Sequence, residues 1–556
     1  MRSPLAALTG VQTAGHRLAT RVASMTGWKR QVLAVVLGAI AALGFAPYHF
    51  LLAPFLSFML LIWLLDGCRM PRSAFATGWS FGFGQFLAGL YWVTQGIVVF
   101  SDQLFWFVPI VLIILPGGLA LFPATAIALY KWIIRKYGVS RVASLIIFAL
   151  LWVAAEWLRG HVLSGFPWNL MATIWGDSPG VLQTVSLVGA YGLSLLTVFW
   201  LIILSSLIDP TPAPDHRRAR IGQAAMAVIM AMLSFVALGL WGGHRLAMAT
   251  VSFVPDVQIR ILQPNIPQQD KWARDKREAN LQLHLTMQTA PGQTAPGQTA
   301  SNAAPITHVI WPETSASFFL DRSPRELSLI AKVTPAKGLT LVGTPRRSGG
   351  GDGGDQIQLW NSLQAVDEGG EIVATYDKTH LVPLGEYVPL RGILPFAKAV
   401  YGETDYSAGS GPVTLHLPGL PPVSPLICYE SIFPGAVVNR QDPAAWLLNI
   451  TNDAWFGTST GPYQHLLAAR LRAIEEGLPL IRSAASGISA VIDPWGRILT
   501  SLPLVTRGSI DTGLPQPAPP TIYARFADRS LLALFVGFAL LASVTEIRTR
   551  RRMKAL

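Results

Sequence analysis

The chain has 556 residues, of which 51% are hydrophobic and only 13% charged. Soluble domains carry roughly 25% charged residues, so this composition excludes a wholly soluble protein and points to membrane spans. The net charge of +12 raises nucleic acid as a partner, but the placement of the charge, set out next, assigns it to membrane topology and no nucleic-acid partner is expected.

Residues 1–30 form a basic arm with Arg2, Arg17, Arg21, Lys29 and Arg30. No small-residue cleavage site follows, so the first apolar run reads as a retained span and not a signal peptide. A helical span needs roughly 20 apolar residues. Candidate segments lie at 31–47, 51–66, 76–99, 105–130, 142–158, 183–208 and 222–242, with an eighth at 530–546. The first two are short and close, as in a tight hairpin. The fourth contains Pro109, Pro116 and Pro123 and is expected to kink or to begin late.

Basic residues alternate along these segments. They fall in the arm, after the second span (Arg69, Arg72), after the fourth (Lys131, Arg135, Lys136, Arg141), after the sixth (Arg217, Arg218, Arg220) and in the tail at 547–556. The loop "SDQLF" after the third span has none. Both termini are therefore expected inside, with residues 31–245 a seven-span membrane domain. The polar stretch at 255–520 then lies outside, and the span at 530–546 returns to the basic tail.

That polar stretch alternates strand and helix patterns. Strand-like pieces include "VQIRILQPN", "HVIWPETS", "LTLVGTPR", "EIVATYDK", "VSPLICYE", "AWLLNITND" and "ISAVIDPWG". "PYQHLLAARLRAIEEG" has helical spacing and ends at Gly477. The repeat "APGQTAPGQTA" and the piece "SGGGDGGD" read as surface loops without chemistry.

Three strand ends present reactive side chains: Glu313 after "HVIWP", Lys378 after "EIVATYD" and Cys428 after "VSPLI". Such ends converge at one edge of a sheet in many α/β proteins. A thiol is only a few per cent thiolate at neutral pH and needs a base. Glu313 is a candidate for that base, and Lys378 for stabilising a thiolate and an oxyanion. The N–H of Tyr429 is a second candidate oxyanion donor. Taken singly, each has a plainer reading. A lone buried cysteine is most often inert packing, and a lone Glu or Lys at a strand end is usually a solvated cap. Spacing alone does not bring the three together. The other cysteine, Cys68, reads as inert, and the two lie too far apart in sequence and context to suggest a disulfide framework.

In chain order, "LQPNIPQQDKW", "WPETS", "YDKTHLVPLGEYVP", "LICYESIFP" and "NITNDAWFGTSTGPYQHLLAARLRAIEEGLPLIRSAASGISAVIDPWGR" resemble the nitrilase, or carbon–nitrogen hydrolase, superfamily. "EWLRGHVLSGFPWNL" resembles the membrane part of one branch, the apolipoprotein N-acyltransferases. The resemblance implies an α-helical membrane bundle of about eight spans joined to an α/β domain folded as an α-β-β-α sandwich. It implies Glu313 as general base, Lys378 as stabiliser and Cys428 as acylated nucleophile. Glu386 matches a second glutamate that orients the lysine, Tyr429 and Glu430 match residues beside the nucleophile, and Trp272 matches a tryptophan near the acyl site. Asn452, Asp453 and Trp455 either line the site or cap a strand-to-loop turn. His380 reads as a structural hydrogen-bonder. Glu156 beside Arg159 reads equally as a functional group or an interfacial pair, and the aromatics of "GFPWNL" as a substrate contact or an aromatic belt.

The implied activity is acyl transfer from a phospholipid, through a Cys428 thioester, to the N-terminal amine of a diacylglyceryl-cysteine lipoprotein, at a bacterial inner membrane with the catalytic domain on the periplasmic side. No metal or cofactor is expected. Two rivals stand beside it. A membrane-anchored amidase would not need seven spans before its domain. A transporter would show ionisable residues inside its spans, and apart from Glu156 these segments carry almost none.

Overall fold

The computed structural model describes residues 4–100, 102–210, 217–294, 305–349, 357–389 and 404–555. Most of the repeat and of the glycine-rich piece, with part of the basic arm and tail, lies outside the described residues. The chain divides into two compact units. One comprises residues 1–91, 109–247 and 526–556; the other comprises residues 92–108 and 248–525.

The first unit is helical. Among the described residues, six helices are long and apolar enough to cross a membrane: Gly27–Gly44, Phe105–Tyr137, Arg141–His161, Val185–Leu207, Ile221–Ala247 and Asp528–Arg551. The second expected span is the shorter helix Leu52–Asp66. The third is Pro71–Leu90, which is rich in Gly, Ser and Thr. Its glycines allow close helix packing: a Cβ on Gly84 would lie 2.0 Å from the carbonyl oxygen of Val35 in the helix Gly27–Ala41. The fourth segment is broken at Ala120 into Val108–Leu119 and Leu121–Tyr137, with Pro116 inside the first piece.

One expected boundary differs. The third apolar run was expected over 76–99, yet its helix ends at Leu90 and residues 92–108 belong to the other unit. The reason is packing. The Trp92 ring meets Phe456 edge-on at 4.5 Å, and its Nε1–H donates to Gln464 Oε1 at 3.1 Å. Hydropathy does not distinguish an apolar residue bound for lipid from one bound for a protein surface.

Arg141 pairs with Asp66 in the helical unit, and other charged groups there serve backbone ends. Arg30, 5% exposed, donates to the carbonyls of Met25 and Gly67, to Ser73 Oγ and to Cys68 Sγ. Lys131 donates to the carbonyl of Leu65. These cations satisfy the C-terminal carbonyls of the helix Leu52–Asp66. Glu156 accepts from the N–H of Met171, and Arg159 donates to the carbonyls of Phe166 and Trp168. Both therefore hold the "GFPWNL" loop, whose Trp168 is buried.

Among its described residues the second unit has two sheets. One contains β1 (Phe253–Gln263), β2 (Gln293–Thr294), β3 (His308–Ile310), β4 (Leu339–Ser348), β5 (Gln358–Asp367), β6 (Ile372–Asp377) and β12 (Gly508–Pro515), in the order β2-β12-β1-β3-β4-β5-β6. The other contains β7 (Val423–Ile427), β8 (Trp446–Thr451), β9 (Leu480–Ala484), β10 (Ser489–Ile492) and β11 (Ile498–Leu502), in the order β11-β10-β9-β8-β7. β1, β3 and β4 run parallel, as do β7, β8 and β9.

The period-two alternation of a strand sorts the side chains into layers. Ile261, Ile310 and Leu341 join Ile427, Leu448 and Ile481 in a core shared by the two sheets. Their neighbours Leu262, Val309 and Val342 pack with Leu281, Leu285 and Ile330 of the helices Arg277–Thr289 and Pro324–Val333. On the second sheet, Leu426, Leu447 and Leu480 pack with Leu466, Ala469 and Ala473 of the helix Gly461–Glu476. The result is an α-β-β-α sandwich in which both sheets deliver strand ends to one place.

Candidate active site

Glu313 follows β3, Lys378 follows β6 and Cys428 follows β7. All three are buried, at 6%, 1% and 7% exposure. Lys378 Nζ donates to Glu386 Oε1 at 2.9 Å and lies 3.9 Å from Glu313 Oε1. Asn361 of β5 bridges the two carboxylates, donating from Nδ2 to Glu313 Oε1 at 2.8 Å and to Glu386 Oε1 at 2.9 Å. Glu386 Oε2 accepts from the N–H of Val382. Glu313 Oε2 is buried with no protein hydrogen-bond partner among the described residues. A buried carboxyl oxygen without a partner is an exception that calls for a role.

The electrostatics follow from the placement. Burial pushes the Cys428 thiol up, and the nearby Glu313 carboxylate adds to it. Lys378 pulls the other way, and the balance stands at about 12. Burial disfavours the Lys378 ammonium, but the carboxylates of Glu386 and Glu313 outweigh it and hold the group well above an ordinary lysine. The resting site is therefore a protonated thiol beside a fixed ammonium and a carboxylate, not a preformed thiolate.

Cys428 opens a 3-10 turn, Cys428–Ile432, with φ 52°. Glu430, 2% exposed, ties this turn to the lysine loop. Its Oε2 accepts from the N–H of Ile427, and its Oε1 accepts from Tyr376 Oη, Thr379 Oγ1 and the N–H groups of Thr379 and His380. Tyr429 is buried with its ring edge-on to Phe433, and His380 stacks on the same ring. Asn452, 4% exposed, donates to Gln268 Oε1, while its own Oδ1 and Gln268 Nε2 lack protein partners among the described residues. Trp455 is half-buried in the turn Asp453–Phe456. Trp272 is half-buried at the end of the short helix Gln268–Lys271.

Two family models match the chain. Residues 37–203 match the apolipoprotein N-acyltransferase N-terminal domain, and residues 258–518 match carbon–nitrogen hydrolase. An apolipoprotein N-acyltransferase of Rhodopseudomonas palustris is 37% identical over 96% of this chain and 98% of its own length. That of Bradyrhizobium diazoefficiens is 38% identical over the same shares. The chain belongs to the apolipoprotein N-acyltransferase family. It is a multi-pass membrane protein and an acyltransferase. Among solved structures, an amidase from Nesterenkonia sp. AN1 is similar at 19% identity with a TM-score of 0.32, over 50% of this chain and 98% of that one.

Within this family member, sequence reasoning passed over three groups at the site. Asn361 gives no signal, since one amide in an alternating strand is ordinary. Lys271 stands beside Trp272 in "QQDKW" and looks solvated, yet it is 5% exposed and its Nζ donates to the carbonyl of Glu313 at 2.6 Å. Burial lowers it to about 8 against the pull of Glu313 and Cys428. His465 is the third, and its partners are described below.

Proposed function

We propose that the protein transfers an acyl chain from a membrane phospholipid to the N-terminal amine of a diacylglyceryl-cysteine lipoprotein, through a thioester on Cys428. In the first half-reaction, Glu313 takes the thiol proton as Sγ attacks the ester carbonyl. The S–C bond forms, the ester C–O bond breaks, and the proton passes from Glu313 to the departing lysophospholipid oxygen. In the second, the acceptor amine attacks the thioester. The N–C bond forms, the C–S bond breaks, and the amine proton travels by Glu313 to Sγ. Lys378 and the N–H of Tyr429 stabilise the oxyanion of each tetrahedral intermediate. Asn361 and Glu386 hold Lys378 and Glu313 in register. Trp272, Asn452 and Trp455 are assigned to substrate contact.

The observation that carries this reading is the meeting of Glu313, Lys378 and Cys428 in one buried cluster, with a carboxylate oxygen unpartnered among the described residues, in a chain of this family. The catalytic unit is assigned to the periplasmic side of a bacterial inner membrane, because the basic loops fall between the other ends of the spans.

Intact mass tests it. Purified protein incubated with phospholipid vesicles is expected to gain the mass of one acyl chain, located on the Cys428 peptide, and to lose it when a diacylglyceryl-cysteine peptide is added. No added mass, or mass on another residue, removes the thioester mechanism. Reporter fusions near residue 350 that are active only in the cytoplasm would reverse the assigned side.

A further inference from the structure

Cys428 holds φ 52°, in the left-handed region that residues other than glycine seldom adopt. Such a turn persists only where surrounding bonds over-determine it. Glu430 fixes the N–H before the cysteine. The carbonyl of the cysteine itself accepts from Ser431 Oγ at 3.1 Å, within its own turn, and has a second holder from outside it. His465, on the helix Gly461–Glu476 and 0% exposed, brings Nε2 to 3.0 Å from Cys428 O and 3.1 Å from Ser431 Oγ. A carbonyl can only accept, so Nε2 carries the hydrogen in that contact.

The ring is braced on its other side. Nδ1 lies 2.8 Å from Asp453 Oδ1 and 3.2 Å from Arg482 Nη2; with the hydrogen on Nε2, Nδ1 of the neutral ring accepts from Arg482, and Asp453 braces it by holding that guanidinium. Asp453 Oδ2 accepts from Arg482 at 2.7 Å, Thr451 donates to Asp453 Oδ1, and Arg482 also donates to Asn449. Asp453 and Arg482 are 1% and 0% exposed. A buried histidine on a helix is usually a satisfied core residue. Here the partner is the nucleophile's own carbonyl, and the bracing groups come from the end of β8 and from β9.

We propose that His465, braced by Asp453 and Arg482, is a positioning residue that aims the Cys428 thiol by fixing its carbonyl. The inference rests on the acyl-transfer reading above. Asp453 also opens the turn that carries Trp455 and Phe456, and the Phe456 ring meets His465 edge-on at 5.9 Å. The relay therefore joins the assigned substrate-contact turn to the nucleophile.

The test compares His465→Gln with His465→Asn in the full-length protein. A glutamine amide nitrogen reaches the place of Nε2 and can donate to Cys428 O. An asparagine amide nitrogen reaches only the place of Nδ1. His465→Asn is expected to lose about 10²-fold in kcat, the scale of a 1 Å misplacement, with KM little changed, while His465→Gln recovers about tenfold of that loss. Alkylation of Cys428 by iodoacetamide, read on its own peptide, should follow the same order at similar thermal midpoints. Equal losses in the two variants, or losses that track thermal midpoint with alkylation unchanged, overturn the proposal.

If neither variant accumulates, Asp453→Asn keeps the shape and loosens the ring. Slower alkylation of Cys428 is then expected, and an unchanged rate overturns the proposal. Alkylation needs no acyl donor, so it still reports on His465 if the wild-type protein forms no thioester. That second failure would instead remove the acyl-transfer reading.

Discussion

Cys68 of the helical unit and Cys428 of the sandwich unit are both buried, at 1% and 7% exposure. Each has a cation nearby. Arg30 Nη1 lies 3.2 Å from Cys68 Sγ, and the Lys378 ammonium acts on Cys428. The difference lies in what else surrounds them. Around Cys68, Arg30 is spent on backbone carbonyls and Ser73, and the sulfur meets the carbonyl of Leu64 and Thr77 Oγ1. Around Cys428, the cation is shared with two carboxylates, one of which keeps an oxygen unbonded among the described residues. In the helical unit Arg30 and Lys131 finish helix ends, and Arg141 pairs with Asp66. Buried charge in the sandwich unit leaves one acceptor open beside a thiol. A neighbouring cation alone is not expected to make a cysteine reactive; a carboxylate that acts directly on the thiol, as Glu313 does on Cys428, is.

The sharpest break of that comparison exchanges the two thiols. Cys428→Ala is expected to abolish acyl-enzyme formation and transfer, whereas Cys68→Ala should leave both intact. Cys428→Ser should also fail, because a serine hydroxyl is far harder to deprotonate. Acyl label persisting in the Cys428→Ala protein, measured by mass on digested peptides, would erase the distinction between the two sites.

The open oxygen is tested next. Glu313→Gln keeps the shape and the hydrogen bond from Asn361 but cannot accept a proton. Acylation measured in a single turnover should slow by about 10²–10⁴-fold. A loss smaller than tenfold would assign the proton to another group.

The resting charge state gives a pH dependence of known sign. With the thiol at about 12, the thiolate fraction at pH 7 is about one part in 10⁵. Alkylation of Cys428 should therefore rise about tenfold per pH unit and show no plateau near the ordinary thiol value of about 8.5. Lys378 lowers the thiol pKa, so Lys378→Met should slow alkylation at every pH below the midpoint. An unchanged profile with near-normal turnover would make Lys378 a strand-end cap and nothing more.

Much of this was legible in the sequence, for physical reasons that also mark its limits. Glu313, Lys378 and Cys428 stand at the ends of β3, β6 and β7, where alternating patterns stop, so their strand-end positions were visible. Their convergence was not, because it depends on two sheets sharing a face. Glu430 was marked only as a neighbour of the nucleophile; that it ties the cysteine turn to Thr379 and His380 is a tertiary fact. Residues 92–99 were assigned to a span because Trp92 looks the same to a hydropathy window whether it meets lipid or Phe456. Lys271 was invisible, since lysine in a polar stretch is ordinarily solvated.

Lys271 yields the smallest effect and the finest test. Its ammonium is buried with the carbonyl of Glu313 as hydrogen-bond acceptor, and burial lowers it from 10.5 to about 8. A lysine with a depressed folded value binds fewer protons folded than unfolded between those two values. Stability should then rise with pH from about 8 to about 10.4 and be lowest below that window. The shift corresponds to a cost on the order of 3 kcal/mol at neutral pH. Lys271→Met removes the charge and much of that cost, so its thermal midpoint at pH 7 should rise and its pH slope above 8 should flatten. The same substitution frees the carbonyl of Glu313, next to Thr314 at φ 49°, and turnover should fall a few-fold as the base loses its anchor. Greater stability with slower acylation is the expected pairing. Lower stability at pH 7 with unaltered acylation would show that Lys271 is an ordinary buried contact, and the sandwich unit would then tolerate buried charge in the way the helical unit does.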